Sequence, residues 1–448
     1  MRKFFVILLI FSVFSSLPAQ EKLTLEKSIQ IALQRNTGLI KSQNSLSYSE
    51  QRVKSSYGDL IPTLGVRGEW DWSRIKDQGG TYLDYLGNTV TVPASEEDQR
   101  NYIISAGGSV VLFDGLANWT KISQAKQDLE ADELSLDRLK QDIVYQTTNL
   151  YFSVLNSQEI LKVRKDNVQY NRKLLETIEE RNRLGSVPIA DVYTQQYQVG
   201  NAELQVITTQ NELDVNKNNL LNYLALDVLA EYEFVNPFQG ADISALDNYM
   251  KEFNDLSAMA AEALNLRLDY RSQKLLLESA DDDITIANGG HWPSLSGNYG
   301  FSTSSLSVIN LFDRQRYSVG LSLSFPIFSQ FNTETAVELA QVTYRNTEED
   351  LYALERQIKI DVKQAYQLLV AAKKALDVAV KNVVSTEENR RVNNERYSLG
   401  SGTILDVLQS DRDYQDALSS RINAEFIFYK SRDGLLNAIG KLDFNQYE

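Results

Sequence analysis

The chain has 448 residues, 60 acidic against 45 basic side chains, a formal net charge of −15, one histidine and no cysteine. An acidic balance of this size argues against a nucleic-acid partner. The lack of cysteine excludes disulfides, thiol chemistry and an N-terminal lipid-anchored cysteine.

Residues 1–19 read as a secretory signal: Arg2 and Lys3 give the charged region, Phe4 to Phe14 the apolar core, and Leu17-Pro18-Ala19 a cleavage site, so the mature chain starts near Gln20. No later apolar run approaches the roughly 20 residues that a spanning helix requires. Leu23 to Tyr57 reads as a first helix, with Leu25, Ile29, Ala32 and Leu33 on one face. After Gly58 and Pro62 the period becomes two. Leu64, Val66, Gly68, Trp70 and Trp72 form the apolar face of one strand, and Tyr102, Ile104, Ala106, Gly108, Val110 and Leu112 that of a second. Between them Lys76 to Gln99, rich in Gly, Asp, Glu and Tyr, reads as a long exposed loop with a small hairpin at its end.

From Leu116 to Leu184 there is no glycine and no proline. As continuous helix that run is roughly 105 Å long, far more than a globular domain needs. Leu129, Leu136, Ile143 and Leu150 recur at sevens; after a shift of four, so do Val154, Leu161, Val168 and Leu175. Such a stutter locally straightens a left-handed supercoil. Val192, Val199, Val206, Leu213 and Leu220 continue the sevens on the returning helix, so these helices pack through narrow coiled-coil seams.

Residues 229–256 are irregular, with Pro237 and Gly240, and link the halves. Residues 257–448 then repeat the plan of 20–228: a helix from about Ser257 to Ala287, then strands carrying Leu295, Gly297, Tyr299 and Phe301, and Tyr317, Val319, Leu321, Leu323 and Phe325. A second Gly- and Pro-free run follows from Ile327 to Leu399, with Val362, Leu369, Leu376 and Val383, and a last helix reaches about Gly440. The reversals are twins: Arg181-Asn182-Arg183-Leu184-Gly185-Ser186 leads to Ile189 and Asp191-Val192, as Arg396-Tyr397-Ser398-Leu399-Gly400-Ser401 leads to Ile404 and Asp406-Val407. The repeat points to one elongated architecture of two helical hairpins.

Four strands of about ten residues, apolar on one face and small or polar on the other, match a transmembrane barrel. Four cannot close one, and an open edge in lipid leaves backbone groups unsatisfied, so closure demands several chains. Three copies give 12 strands, an even number within the observed range. Trp70, Trp72, Tyr102, Trp292, Tyr317 and Phe325 lie toward strand ends, where interfacial aromatics belong. On the residues alone two other readings stay open: a trimeric coiled-coil surface adhesin or periplasm-spanning structural protein, and a soluble periplasmic helical scaffold.

With its duplicated plan and its Tyr397-to-Leu408 motif and twin, the chain resembles the TolC-type outer membrane efflux proteins over essentially the whole mature length. The resemblance implies an α+β membrane protein built from two internal repeats: a homotrimer whose 12-stranded outer membrane β-barrel, four strands per chain, is continuous with a long α-helical coiled-coil barrel across the periplasm. It implies no cofactor, and as partners outer membrane lipid, a periplasmic adaptor and an inner membrane transporter of an efflux or type I secretion system. It places Asp406 in an acidic ring at the periplasmic gate, with Gln409 at the second ring position, near Asp411 and Asp413. Tyr397 and Asp191 match a locking pair between hairpins, and Gly402 falls where some relatives carry a basic locking residue. Leu184, Gly185 and Ser186, with Leu399, Gly400 and Ser401, match the tips on which the adaptor docks. Nothing reads as a catalytic centre: His291, beside Trp292-Pro293 at a strand entry, is structural, and no Gly-rich phosphate loop is present. The lack of Met, His and Cys clusters argues against soft-metal handling.

Overall fold

The computed structural model describes residues 21–237, 253 and 255–447. The signal expected over 1–19 lies outside the described residues, as does most of the link expected over 229–256. The first half holds β1 (Glu21–Leu23), α1 (Leu25–Arg35), α2 (Thr37–Gly58), β2 (Gly65–Asp77), β3 (Gly80–Leu83), β4 (Thr89–Val92), β5 (Ser95–Phe113), α3 (Ala117–Arg183) and α4 (Ile189–Tyr223). After β6 (Tyr232–Phe234), the second half holds α5 (Leu256–Leu266), α6 (Leu268–Asn288), β7 (Ser294–Ser305), β8 (Gln315–Ser324), α7 (Asn332–Ser398) and α8 (Ile404–Ile439). Both α3 and α7 are 67 residues long. The chain divides into two compact units, and each draws on both halves: one takes residues up to 43, 135–269 and 354 onward, the other 44–134 and 270–353.

The second unit contains an antiparallel sheet in the order β2-β5-β7-β8. Its register explains the alternation. Val66, Ala106, Phe301 and Tyr317 share one row, and Arg67, Ser105, Ser302 and Arg316 share the next, on the opposite face. Followed along all four strands, one face is apolar and the other is Ser, Gly and Asn with few exceptions, Ile103 and Val111 among them. Side chains alternate between faces along every strand, so pairing in this register brings like with like. β2 and β8 are exposed along their whole length, and among the described residues neither outer edge is paired.

Lys76 to Gln99 is more ordered than an exposed loop. β2 and β5 stay paired as far as Asp77 opposite Ser95, well past the last pairing of β5 with β7 at Tyr102 and Ser305. Opposite charges facing one another across the strands hold this extension: Arg74 pairs with Asp98 at 2.7 Å and with Glu96 at 3.5 Å. β3 and β4 form a separate hairpin closed by Asp84, whose carboxylate accepts the N–H groups of Leu86 and Asn88.

In the first unit the short elements also depart from expectation. Leu23 is not helical: β1 pairs in parallel with β6, and the buried Tyr151 hydroxyl, 2.7 Å from the carbonyls of Leu23 and Val235, ties the pair to α3. Each first helix of a half is broken after 11 residues. Asn36 ends α1 with extended backbone, and its side chain caps the N–H groups of Gly38 and Leu39 to start α2. Arg267 is extended too, and its buried guanidinium pairs with Asp269 at 2.6 Å and Asp361 at 2.9 Å. The long helices follow the sevens: Ile143, Val154, Leu161, Leu213 and Leu220 are buried on one hairpin, and Val362, Leu369 and Leu376 on the other.

Candidate functional site

The reversals of both hairpins lie in the first unit, and one turn geometry serves both. α3 ends at Arg183 and α7 at Ser398, and Gly185 and Gly400 follow with φ of 74° and 76°. Only glycine enters that region without penalty. In the first turn Ser186 N–H donates to Arg181 O and Gly185 N–H to Asn182 O, both at 2.8 Å; in the second, Ser401 donates to Arg396 at 2.9 Å and Gly400 to Tyr397 at 3.1 Å. This pair of bonds is the Schellman closure, which satisfies carbonyls that a helix end leaves orphaned. Leu184 and Leu399, one residue before each glycine, are 66% and 82% exposed, and Ser186 and Ser401 are exposed beside them. Two apolar side chains therefore stand in solvent at the tips.

Behind the turns the hairpins pack on each other. Ile178 of α3, Val192 of α4, Tyr397 of α7, and Ile404 and Val407 of α8 make one buried cluster, with Leu174, Leu175, Val187 and Leu408 against it. The Tyr397 hydroxyl donates to Asp191 at 3.2 Å. Burial, reinforced by the Asp191 carboxylate, pushes that hydroxyl up to about 12, so it stays protonated and remains a donor. Arg181 completes the contact: its guanidinium donates to the Tyr397 carbonyl at 3.2 Å and lies 5.1 Å from the ring centroid. At Gly402 a Cβ would sit 3.2 Å from Arg396 Cβ and Tyr397 N, so a larger side chain there must displace its neighbours.

Asp406 and Gln409 lie outside that contact. Thr403 and Asp406 form a capping box: the exposed Asp406 carboxylate accepts Thr403 N–H at 3.0 Å, and Thr403 Oγ1 accepts Asp406 N–H at 3.3 Å. The bonds from Thr403, backbone first, hold the Asp406 carboxyl below the usual range. Gln409 donates to Asp413 at 2.7 Å. Pro188 stands at the N-cap of α4, with Ile189 as the first helical residue.

Sequence reasoning missed a polar cluster between the hairpins. Asp411 of α8 is buried, accepts from Asn167 of α3 at 2.9 Å and pairs with Arg390 of α7 at 3.3 Å. Gln195 of α4 donates to the Asn171 carbonyl at 3.0 Å, and Arg390 lies over the rings of Tyr170 and Tyr414 at 4.0 and 4.7 Å. Burial raises the Asp411 carboxyl, opposed by Arg390 and the amides. All four long helices contribute, so a charge and its hydrogen bonds depend on the two hairpins staying together. A signal was present in part: Asn167 and Asn171 sit one turn apart on the seam side of α3, where apolar residues were due.

Comparison with known proteins identifies the family and the fold. The family model described as outer membrane efflux protein matches residues 28–226 and again 259–441. TolC of Vibrio cholerae is 24% identical over 404 residues, 88% of this chain and 85% of that protein. TolC of Escherichia coli K12 is 23% identical over 444 residues, 96% of this chain and 84% of that one. Two solved structures share the fold. CusC matches with a TM-score of 0.77 at 17% identity, over 93% of this chain and 92% of the other. VceC of Vibrio cholerae matches with a TM-score of 0.75 at 16% identity, over 93% and 96%. The chain belongs to the outer membrane efflux protein family and serves as an exit duct of the outer membrane.

Proposed function

We propose that this duct is a passive homotrimer in which three sheets close a 12-stranded barrel in lipid and the two hairpins of each chain form its periplasmic gate. A periplasmic adaptor seats on Leu184, Gly185, Ser186, Leu399, Gly400 and Ser401, and couples the duct to an inner membrane transporter. The observation that carries this reading is the sheet: four strands, one apolar face, one polar face, and two edges unpaired among the described residues. In hydrocarbon those edges are tolerable only when they pair, and β2 of one copy runs antiparallel to β8 of the next in a cyclic assembly.

In this reading Tyr397, Asp191 and Arg181 hold the hairpins closed, with Asp406 and Gln409 beside the entrance. A test takes two measurements on protein purified from the outer membrane. Light scattering in detergent should give three chains per particle; a monomer or dimer sinks the assembly. In planar bilayers Tyr397→Phe should raise single-channel conductance, and unchanged conductance leaves the tyrosine as packing alone.

A further inference from the structure

The polar face of the sheet holds a feature that gate and docking leave unused. Where β7 pairs with β8, that face carries two charged residues only, Arg67 on β2 and Arg316 on β8. They share one row, Arg67–Ser105–Ser302–Arg316. On one side the adjacent row of this face is Gly65–Gly107–Gly300–Ser318, small residues that leave room for the guanidiniums; on the other it is Glu69–Ile103–Ser304. Both arginines are exposed, and neither has a salt bridge among the described residues. The nearest acid on this face, Glu69, is two residues after Arg67 on β2, in the row just past the last pairing of β7 with β8, and Asp71 follows where β2 outruns β7.

We infer that Arg67 and Arg316 form an anion-selecting belt on the inner wall of the assembled barrel, favouring solutes that carry carboxylate, phosphate or sulfonate groups. The inference rests on the trimeric barrel proposed above. The apolar face must meet lipid, so the face with the arginines lines the lumen. Threefold repetition then places six guanidiniums on that wall. Three strand spacings separate the pair within a chain, about 14 Å along the row. At 0.1 M salt the screening length is about 10 Å, so their fields overlap and, between low-dielectric walls, concentrate anions. Guanidinium keeps its charge at any working pH and forms paired hydrogen bonds with carboxylate or phosphate.

The experiment is a reversal-potential measurement on purified trimer in a KCl gradient near 0.1 M. In Arg67→Gln/Arg316→Gln the potassium-to-chloride permeability ratio should rise at least about threefold over the unsubstituted protein. Arg67→Lys/Arg316→Lys should hold the original ratio, and Asn298→Gln, a neutral change on the same wall, should not move it. A ratio unchanged in the glutamine variant overturns the belt. So does a lowered trimer dissociation temperature with no change in ratio, because that result means acids on the neighbouring copy neutralise the arginines. If the unsubstituted protein forms no channel, the duct assembly itself fails and the belt with it, which is a separate outcome from a channel indifferent to the arginines.

Discussion

The tips and the sheet handle charge and apolar surface in opposite ways. At the tips the contacts are made within one chain: Tyr397 bonds Asp191, Asp411 pairs with Arg390, and Ile178 and Val407 are fully buried between the hairpins. On the sheet a single chain completes very little. Val319 and Leu321 are 91% and 73% exposed, and among the described residues both edges are open and Arg67 and Arg316 have no salt bridge. The tip is a finished structure held by side chains. In the proposed duct the sheet is a segment whose partners are lipid and further copies, so substitutions in it should read out in assembly.

The largest break in this comparison comes from the apolar face. Leu321→Arg should abolish outer membrane assembly, at a penalty of about 2–4 kcal/mol near the bilayer midplane, while Ser322→Arg, on the lumen face, assembles. Membrane fractionation with native gels decides it, and equal tolerance would overturn the assignment of faces. Next is Gly400→Trp. No atom lies within 4 Å of a Cβ there, but φ is 76°, so the cost is backbone strain of roughly 1–2 kcal/mol. Trimers should form and export should stop; normal export would show that nothing docks on this tip.

A smaller effect concerns pH. The folded-state pKa of Asp411 is raised by burial, so the folded unit holds this proton more tightly than the unfolded chain does. Its contribution to stability is complete below the unfolded value of about 3.9 and declines as pH climbs through the folded one. Asp411→Asn should flatten that decline. Thermal unfolding from acid to neutral pH, variant against parent, measures it; parallel curves would mean the Arg390 pair offsets burial. The smallest effect is expected at Asp406. Asp406→Asn should leave the trimer intact and reduce cation preference, opposite in sign to the loss of Arg67 and Arg316. An unchanged preference would leave Asp406 as a helix cap.

Much of this was legible because long periodic elements average out local noise. The sevens of α3 and α7, the alternation of four strands and the Leu-Gly-Ser turns each repeat one physical demand many times. What escaped notice was short or depended on distant partners. β1 and β6 have three residues each, too few to show a period. The break at Asn36 is decided by one side chain capping the following helix, and the break at Arg267 by a carboxylate at Asp361, far along the chain. The Asp411 cluster draws on four helices, so no single stretch announces it, and the two asparagines on the seam side of α3 show only one of its walls.

The pairing of β1 with β6 also bears on the order in which the molecule is made. Glu21 pairs with Tyr232. At synthesis rates of about 5–20 residues per second, on the order of ten to forty seconds separate the two. Until then β1 has no partner, and Leu23, fully buried in the finished protein, remains open to solvent or to a chaperone. Helical hairpins close through local contacts and fold early by comparison. The first strand to emerge must wait for the whole first half of the chain.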